Sequence, residues 1–203
     1  MPPHKRDPHD RAGIIATAAA ILDAYGLADL TMRRLARELD VTAGALYWHF
    51  ASKQQLLGAV ADRVLAPAAA TPPSGDWPAR ITAVATGLRD ALLSHTDGAE
   101  LVSASFAAGQ SRVIEELLGQ LTEAAGAAGV PAPQRTLAAR TIVHYVLGFT
   151  ADEQSRLQWD AVGALPEQQS MLHVDAGAAF GFGLRLLIAG LAADVSAPVS
   201  PAR

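Results

Sequence analysis

Cysteine is absent from the 203-residue chain, which excludes disulfide bonds and thiolate metal sites. Runs of β-branched and aromatic residues long enough to form strands are scarce, whereas alanine and leucine dominate. This composition predicts an all-α protein. No apolar stretch reaches about 18 residues without a charged residue or a proline, and the N-terminus has no apolar secretion segment. We therefore expect a cytoplasmic protein with no membrane partner.

The common catalytic motifs are also missing. The sequence contains no His-Glu-x-x-His zinc pattern, no Gly-x-Ser-x-Gly nucleophile turn and no glycine-rich phosphate loop. Because the six histidines are scattered, we expect no catalytic residue, no metal and no cofactor. Asp152 and Glu153 form an acidic pair, but neighbouring side chains on a helix point about 100° apart, which favours a solvated helix end over an acid–base dyad.

A net positive charge is missing too, since the formal net charge is −4. The charges are unevenly distributed along the chain. Residues 1–66 carry eight Lys and Arg against seven Asp and Glu, whereas residues 67–203 carry eight against thirteen. A small basic face on an acidic protein allows local binding to a polyanion such as DNA without indiscriminate coating.

Two short helices joined by a tight turn are predicted within residues 31–53. A threonine that can serve as N-cap precedes each helix, the first ending at Leu39 and the second running from about Ala43 to His49. The apolar residues Leu35, Leu39, Leu46 and Phe50 are expected to be buried. The sequence Ser-Lys-Gln-Gln at 52–55 matches a capping box that begins a third helix, expected to run from Lys53 to Leu65. Two short helices at a steep angle allow the second to enter the major groove of DNA.

The segment Leu46-Tyr47-Trp48-His49-Phe50, followed by Lys53, closely resembles the tetracycline-repressor (TetR) family of transcription regulators. The resemblance continues upstream through 30–36 and is strong over roughly the first 66 residues. Weaker resemblance to the ligand domain of the tetracycline repressors lies at 88–99 and 144–154. One departure is an aspartate at position 40, where the family usually has glycine. Aspartate tolerates a left-handed backbone better than most residues, so we expect only slight strain in the turn.

The resemblance implies an N-terminal three-helix helix-turn-helix domain and a larger helical domain for ligand binding and dimerisation. A stretch rich in Ala, Pro, Ser and Gly at 67–78 predicts the boundary, giving a DNA-binding domain with its connecting helix at 1–66 and an effector-binding and dimerisation domain at 67–203. The first helix is expected to open at Asp7-Pro8, after the basic residues Lys5 and Arg6, and to run to about Tyr25-Gly26. Its apolar side is expected to consist of Ile14, Ile15, Ala18, Ile21, Leu22 and Tyr25. Helical patterns follow in the second domain at 77–95, 97–107, 110–128, 133–154 and 172–193, and a loop is expected at 155–171.

The last two helical patterns predict a homodimer interface. Each is apolar over more than one stripe and must be covered both by its own domain and by a partner. A monomeric core of the same helices is the alternative. The apolar residues concerned are Leu137, Thr141, Ile142, Tyr145, Val146, Phe149, Phe180, Leu184, Leu187, Ile188 and Leu191, and Ala176, Gly177 and Gly181 would allow close approach.

The resemblance also implies which side chains contact double-stranded DNA. Arg33 is expected to reach a base edge, whereas Tyr47, His49 and Lys53 are expected to hold phosphates. The helix tip carries only small residues, so alanine methyl contacts to thymine replace most hydrogen-bond readout. For Trp48, packing between helices is the favoured interpretation. The full set is Thr31, Arg33, Thr42, Ala43, Gly44, Ala45, Tyr47, Trp48, His49 and Lys53, with Arg34 and Arg37 as further polar candidates.

An effector cavity in the second domain is the last implication of the resemblance. Its lining would be Val84, Leu88, Leu101, Val102, Ser105, Phe106, His144, Leu147, Gly148 and Asp152. By pattern alone most of these are core residues, and His144 is favoured as a satisfied core or interface residue. In similar tetracycline repressors a histidine shortly after Asp-Gly-Ala ligates the metal, but Val102 stands here and cannot bind Mg²⁺. We therefore expect a small apolar or aromatic effector, bound without metal.

These features predict a homodimeric DNA-binding transcription regulator, a repressor released from a palindromic operator by a small molecule. An effector-independent or activating regulator is the alternative within DNA binding. From a different class, the large helical domain could be a lipophilic carrier or an enzyme.

Overall fold

The computed structural model describes residues 10–166 and 175–196, with side chains to Ala193. Throughout these ranges the chain forms nine helices and no strand, which confirms the predicted all-α fold. The helices are α1 (Arg11–Tyr25), α2 (Met32–Glu38), α3 (Ala43–Tyr47), α4 (Lys53–Ala69), α5 (Trp77–Leu93), α6 (Gly98–Ala107), α7 (Arg112–Ala127), α8 (Ala132–Ala161) and α9 (Ala176–Ser196).

The described residues divide into two compact units. Unit 1 contains 10–67 and 91–114, and unit 2 contains 68–90 and the described part of 115–203. The chain thus leaves unit 1 close to the predicted boundary but returns to it for α6. The boundary lies inside α4, which runs on through Pro67 to Ala69 instead of ending at Leu65. The division into DNA-binding and effector-binding functions remains a prediction.

Helix α1 begins later than expected. Asp10 is its N-cap, and the Asp10 carboxylate accepts a hydrogen bond of 2.6 Å from the amide of Gly13. The predicted cap at residues 7 and 8 and the basic residues 5 and 6 lie outside the described residues. Ile14, Ala18, Ile21 and Leu22 are buried as predicted, and Gly26 ends the helix with φ of +80°. Tyr25 is exposed, contrary to expectation.

Residues 91–114 belong to unit 1 because polar contacts attach the start of α6 to the end of α1. His95 Nδ1 lies 2.9 Å from an Asp23 carboxylate oxygen, and the Thr96 hydroxyl donates to the Asp23 carbonyl at 3.0 Å. Asp97, with φ of +52°, accepts a hydrogen bond of 2.8 Å from the amide of Leu27. The turn before α6 is therefore held to the first helix of the chain.

The other end of α6 is attached to α4. A β-carbon on Gly58 would collide with the main-chain carbonyl oxygen of Gln110, so the two backbones approach closely. One turn along α4, the Asp62 carboxylate accepts hydrogen bonds from the Ser111 hydroxyl at 2.8 Å and from the Val113 amide at 3.0 Å. Asp62 thereby supplies an acceptor for the otherwise unsatisfied first amides of α7.

Unit 2 has a buried ion pair between α5 and α8. The Arg89 guanidinium donates to both carboxylate oxygens of Glu153, at 2.6 and 2.9 Å, and its carbon lies 5.1 Å from the Phe180 ring centroid on α9. The helix carrying Glu153 continues to Ala161, so the predicted loop is wrong for residues 155–161. Part of the remaining loop lies outside the described residues, and so does the start of the last predicted helix.

An aromatic cluster joins α8 to α9. Tyr145 stacks on Phe180 with ring centroids 5.4 Å apart, and Phe149 lies within 5.8 Å of Tyr145 and 5.5 Å of Phe180. The Tyr145 hydroxyl donates to the Phe180 carbonyl at 2.7 Å, and burial raises the pKa of Tyr145. Within the protomer the close approach occurs at Gly183, where a β-carbon would collide with the Tyr145 hydroxyl.

Helix α9 is apolar but largely uncovered. The segment Ala176–Ala193 is long and apolar enough to cross a membrane by length and composition alone, and 11% of it is buried. Phe180 and Leu184 are buried, whereas Phe182 and Leu186 are 58% and 59% exposed. Leu137 on α8 is exposed as well. Phe182 and Leu186 are four residues apart and lie on the same face of α9. Exposed apolar surface of this kind is typical of a site that binds another protein surface.

Candidate nucleic-acid interface

The turn between α2 and α3 is a Schellman motif with aspartate at the left-handed position. Asp40 has φ of +54°, its amide donates to the carbonyl of Arg37 at 3.2 Å, and the amide of Val41 donates to the carbonyl of Ala36 at 2.9 Å. Both predicted caps are present, since the hydroxyl of Thr31 accepts from the Arg34 amide and that of Thr42 from the Ala45 amide. The turn therefore forms despite the missing glycine.

Buried leucines hold the two helices against each other. Leu35, Leu39, Leu46 and Phe50 are all buried, as predicted. Helix α3 ends at Tyr47, two residues earlier than expected, and the following residues continue as a turn. The inward leucines fix which faces of α2 and α3 remain on the surface.

Helix α4 begins with the predicted capping box. The Ser52 hydroxyl accepts a hydrogen bond of 3.2 Å from the Gln55 amide. The Gln55 side-chain oxygen accepts in return from the amide of Ala51 at 3.0 Å, one residue earlier than in the usual box. Lys53 is thereby placed at the start of α4, directly after the turn that follows α3.

The predicted DNA-contacting residues all lie within unit 1 at residues 31–53. Those on the surface are Thr31, Arg33, Thr42, Gly44, Tyr47, Trp48 and His49, whereas Ala43, Ala45 and Lys53 are half-buried. Trp48 is 91% exposed, so the interpretation of this side chain as helix packing is wrong. An indole at the surface is available for contact with a ligand or a partner. The assignment of these residues as DNA contacts stays a prediction.

Two arginines that flank this surface have structural partners. Arg34 forms an ion pair of 2.8 Å with Asp29 and stacks on the ring of Tyr25 at 3.6 Å, so its guanidinium is held within the protein. Arg11, which was not among the predicted site residues, donates from Nη1 to the carbonyl of His49 at 2.6 Å. No motif marks Arg11, because it is a single residue at the start of α1 whose contact is 38 residues away.

The predicted effector residues are divided between the units. Leu101, Val102, Ser105 and Phe106 belong to unit 1, and Val84, Leu88, His144, Leu147, Gly148 and Asp152 belong to unit 2. His144, Gly148 and Asp152 are exposed, so these three do not form a buried lining within one protomer; the other seven are buried. The role of the whole set remains a prediction.

Buried polar groups do occur on the helices concerned. The Ser105 hydroxyl on α6, the Thr150 hydroxyl on α8 and the Gln120 carbonyl oxygen on α7 are buried without a hydrogen-bond partner among the described residues. Asp152 was predicted to line the effector cavity, but the buried carboxylate of α8 is that of Glu153. Thr150 and Glu153 lie one turn apart on the buried side of α8 and were both missed.

Helix α3 is short, capped by Thr42 and anchored by the buried Leu46, and it follows a tight turn. Its last residue Tyr47 and the two residues after it, Trp48 and His49, are exposed. This arrangement defines a helix-turn-helix protein of the DNA-binding class. Residues 14–60 match the family described as bacterial regulatory proteins, tetR family, and residues 69–195 match the tetracyclin repressor-like C-terminal domain. The chain belongs to the tetR family of bacterial regulatory proteins. It is a DNA-binding transcription regulator.

Individual relatives agree with this assignment. The crystal structure of Mycobacterium smegmatis BioQ is 60% identical, with a TM-score of 0.84, and the match covers 91% of this chain and 98% of that one. A crystal structure of BioQ with its natural double-stranded DNA operator is 57% identical, with a TM-score of 0.79 and coverage of 91% and 98%. The class E tetracycline repressor of Escherichia coli is 31% identical over 194 residues, covering 90% of each chain.

Proposed function

We propose that this protein is a cytoplasmic homodimeric repressor that binds a palindromic double-stranded DNA operator and is released from it by a small molecule. The observation that carries the proposal is the helix-turn-helix of residues 31–53, with buried Leu46 seating α3 and exposed Tyr47 and Trp48 at its end. The relative crystallised with its operator supports the same kind of target. We propose no catalytic role for the chain.

The target sequence can be recovered by selecting operator DNA from random duplexes with the full-length protein. Two half-sites should emerge, related by two-fold symmetry and separated by about one helical turn, roughly 34 to 36 Å between centres. A mobility-shift assay with DNA from upstream of the protein's own gene is the simpler first test. Recovery of no enriched sequence at moderate salt would count against DNA binding, and a single unpaired site would count against the dimeric arrangement.

The roles of two basic residues should differ. Lys53→Ala should weaken binding similarly for all sequences and reduce the slope of log affinity against log salt by about one, because a phosphate contact releases about one counterion. Arg33→Ala should instead relax preference at one base position, because a guanidinium reads the edge of a base. If neither substitution changes operator affinity at moderate salt, the proposed DNA-binding face is wrong.

Dimerisation is supported by the uncovered apolar side chains of α8 and α9. Burying Phe182, Leu186 and Leu137 against a second copy would remove three exposed apolar side chains of these helices from water. Leu186→Glu should therefore yield a monomer in analytical ultracentrifugation and lower operator affinity. Thr86→Glu, which places the same charge on the exposed side of α5, is the matched control and should remain dimeric.

The effector is proposed to be apolar or aromatic and to bind without metal, even though relatives include tetracycline repressors. Val102 and Leu88 are fully buried and offer no oxygen or nitrogen ligand to Mg²⁺. The experiment is titration of the operator-bound protein with tetracycline in the presence and absence of Mg²⁺. No metal-dependent release is expected, and release at low micromolar drug that requires Mg²⁺ would contradict this proposal.

We further propose that α4 couples effector to DNA. This helix begins at the capping box after α3 and contains residues 67 and 68, where the chain first passes from unit 1 to unit 2. A coupling free energy of about 1 to 3 kcal/mol would suffice for a useful switch, and it must appear equally in both binding reactions. Effector affinity should therefore fall when operator is bound. Equal affinities with and without operator would exclude the coupling.

A further inference from the structure

Arg11 connects α1 to the end of α3, the helix proposed to enter the major groove. Its Nη1 donates a hydrogen bond of 2.6 Å to the main-chain carbonyl of His49, two residues beyond the end of α3. The guanidinium carbon also lies 4.3 Å from the centroid of the Phe50 ring, within the range of a cation–π contact. One side chain of α1 thus contacts two consecutive residues of the turn between α3 and α4.

Helix α3 needs such an external contact because it is short. It has five residues, Ala43–Tyr47, which is far below the length at which a helix is stable in water by itself. Inside the protein Leu46 and Phe50 anchor it by burial. The carbonyls at a helix C-terminus lack intrahelical partners and carry partial negative charge. A guanidinium there satisfies an acceptor and interacts favourably with the helix dipole.

We propose that Arg11 is a positioning residue for operator binding. It acts through the His49 carbonyl and the Phe50 ring to fix the end of α3, and so the orientation of Tyr47 and Trp48, without itself neutralising a phosphate. The inference rests on the proposed DNA-binding function of α3. The other role open to an exposed arginine in this unit is a direct phosphate contact, and the salt dependence of binding separates the two.

The experiment compares operator affinity of full-length Arg11→Gln with the unsubstituted protein over a series of salt concentrations. Loss of a charge-assisted hydrogen bond and a cation–π contact at the surface should weaken binding by about fivefold to tenfold. The slope of log affinity against log salt should stay unchanged, because no phosphate contact is removed. Lys53→Ala, measured beside it, supplies the reference for a slope reduced by about one.

Arg63→Gln is the matched charge control, since it removes the same charge from an exposed arginine of α4 in the same unit. It should leave affinity within about twofold of the original, as an exposed charge is screened by salt. A slope reduced by about one in Arg11→Gln, an unchanged affinity in Arg11→Gln, or an equal loss in Arg63→Gln would each overturn the proposal.

Amide hydrogen exchange gives a second readout that does not need DNA. In the free protein Arg11→Gln should speed exchange several-fold in a peptide covering 43–50, while a peptide from α7 keeps its protection. Equal acceleration in both peptides would indicate general destabilisation and would overturn a positioning role, as would unchanged exchange in 43–50. If the unsubstituted protein bound no DNA, the proposed function would fail while this local effect could still be measured.

Discussion

The ion pair between Arg89 and Glu153 allows a quantitative test of how unit 2 is held together. Glu153→Gln removes the negative charge but keeps the side-chain length, which leaves the Arg89 guanidinium facing an amide. The two side chains are 12% and 8% exposed, so water cannot replace the lost carboxylate. The carboxylate of Asp90 lies 3.9 Å from Arg89 and is largely exposed. Arg89 would therefore remain buried with a poor set of acceptors.

Breaking a buried pair by removing one partner typically costs about 3 to 5 kcal/mol. The glutamine oxygen can still accept one of the two hydrogen bonds, so we expect about 3 kcal/mol for Glu153→Gln, at the low end of that range. With a denaturant slope of about 2 to 3 kcal/mol/M, the urea midpoint should fall by about 1 M. The assay is urea unfolding followed by circular dichroism at a fixed protomer concentration, because dimerisation makes apparent stability depend on concentration.

Two further variants make this test discriminating. Asp152→Asn removes the neighbouring exposed carboxylate and should change stability by less than about 0.5 kcal/mol. The double variant Arg89→Met with Glu153→Leu should recover most of the loss, because well-packed apolar groups often replace a buried pair without cost. A loss of less than about 0.5 kcal/mol for Glu153→Gln, at the accuracy of such measurements, would refute the reasoning.

Three other substitutions test features of the fold by thermal or chemical unfolding. Gly58→Ala should destabilise the protein by about 1 to 3 kcal/mol, because the new methyl group meets the main-chain carbonyl of Gln110. The control Gly119→Ala, on the open side of α7, should be neutral or stabilising. A neutral Gly58→Ala would contradict the close approach of the two backbones. Asp40→Gly should stabilise the protein by roughly 0.5 to 1 kcal/mol, because glycine removes the backbone strain of a left-handed non-glycine residue. Asp40→Asn is the control for the change in charge. A destabilised Asp40→Gly would show that the turn is not strained. Burial raises the pKa of Tyr145, so the folded protein holds this proton more tightly than the unfolded chain and loses stability as pH rises above about 10. Tyr145→Phe should remove that alkaline loss of stability. An unchanged pH profile would mean that the hydroxyl does not contribute.

Local interactions explain why so much of the helix-turn-helix could be predicted from the sequence. The caps at Thr31 and Thr42 and the box at 52–55 use hydrogen bonds that span three or four residues, so the residue types alone locate the helix ends. The same applies to the left-handed Asp40. The exposed Trp48 could not be predicted in this way, since an indole suits burial and surface recognition equally well.

Helical periodicity identifies the buried carboxylate of α8, whereas the resemblance to the tetracycline repressors indicated Asp152. Positions 146, 150 and 153 lie on one face, and continuing the apolar face of Val146 by four and then three residues reaches Glu153 instead of Asp152. The partner residue Arg89 is 64 positions away and has no pattern that points to it. The assignment of 91–114 to unit 1 was missed for the same reason, because side-chain contacts between distant segments leave no local signal.

The attachment of α6 to α1 has a consequence for how the protein is made. Asp97 accepts a hydrogen bond from the amide of Leu27, which lies 70 residues earlier in the chain. Asp62 accepts one from Ser111, which lies 49 residues later. During synthesis on the ribosome, unit 1 cannot complete its contacts until residue 114 has left the exit tunnel. A chain cut after residue 67 would lack those partners and expose the surfaces that they cover. We therefore expect the isolated N-terminal segment to be less protected against proteolysis than the same residues in the full protein.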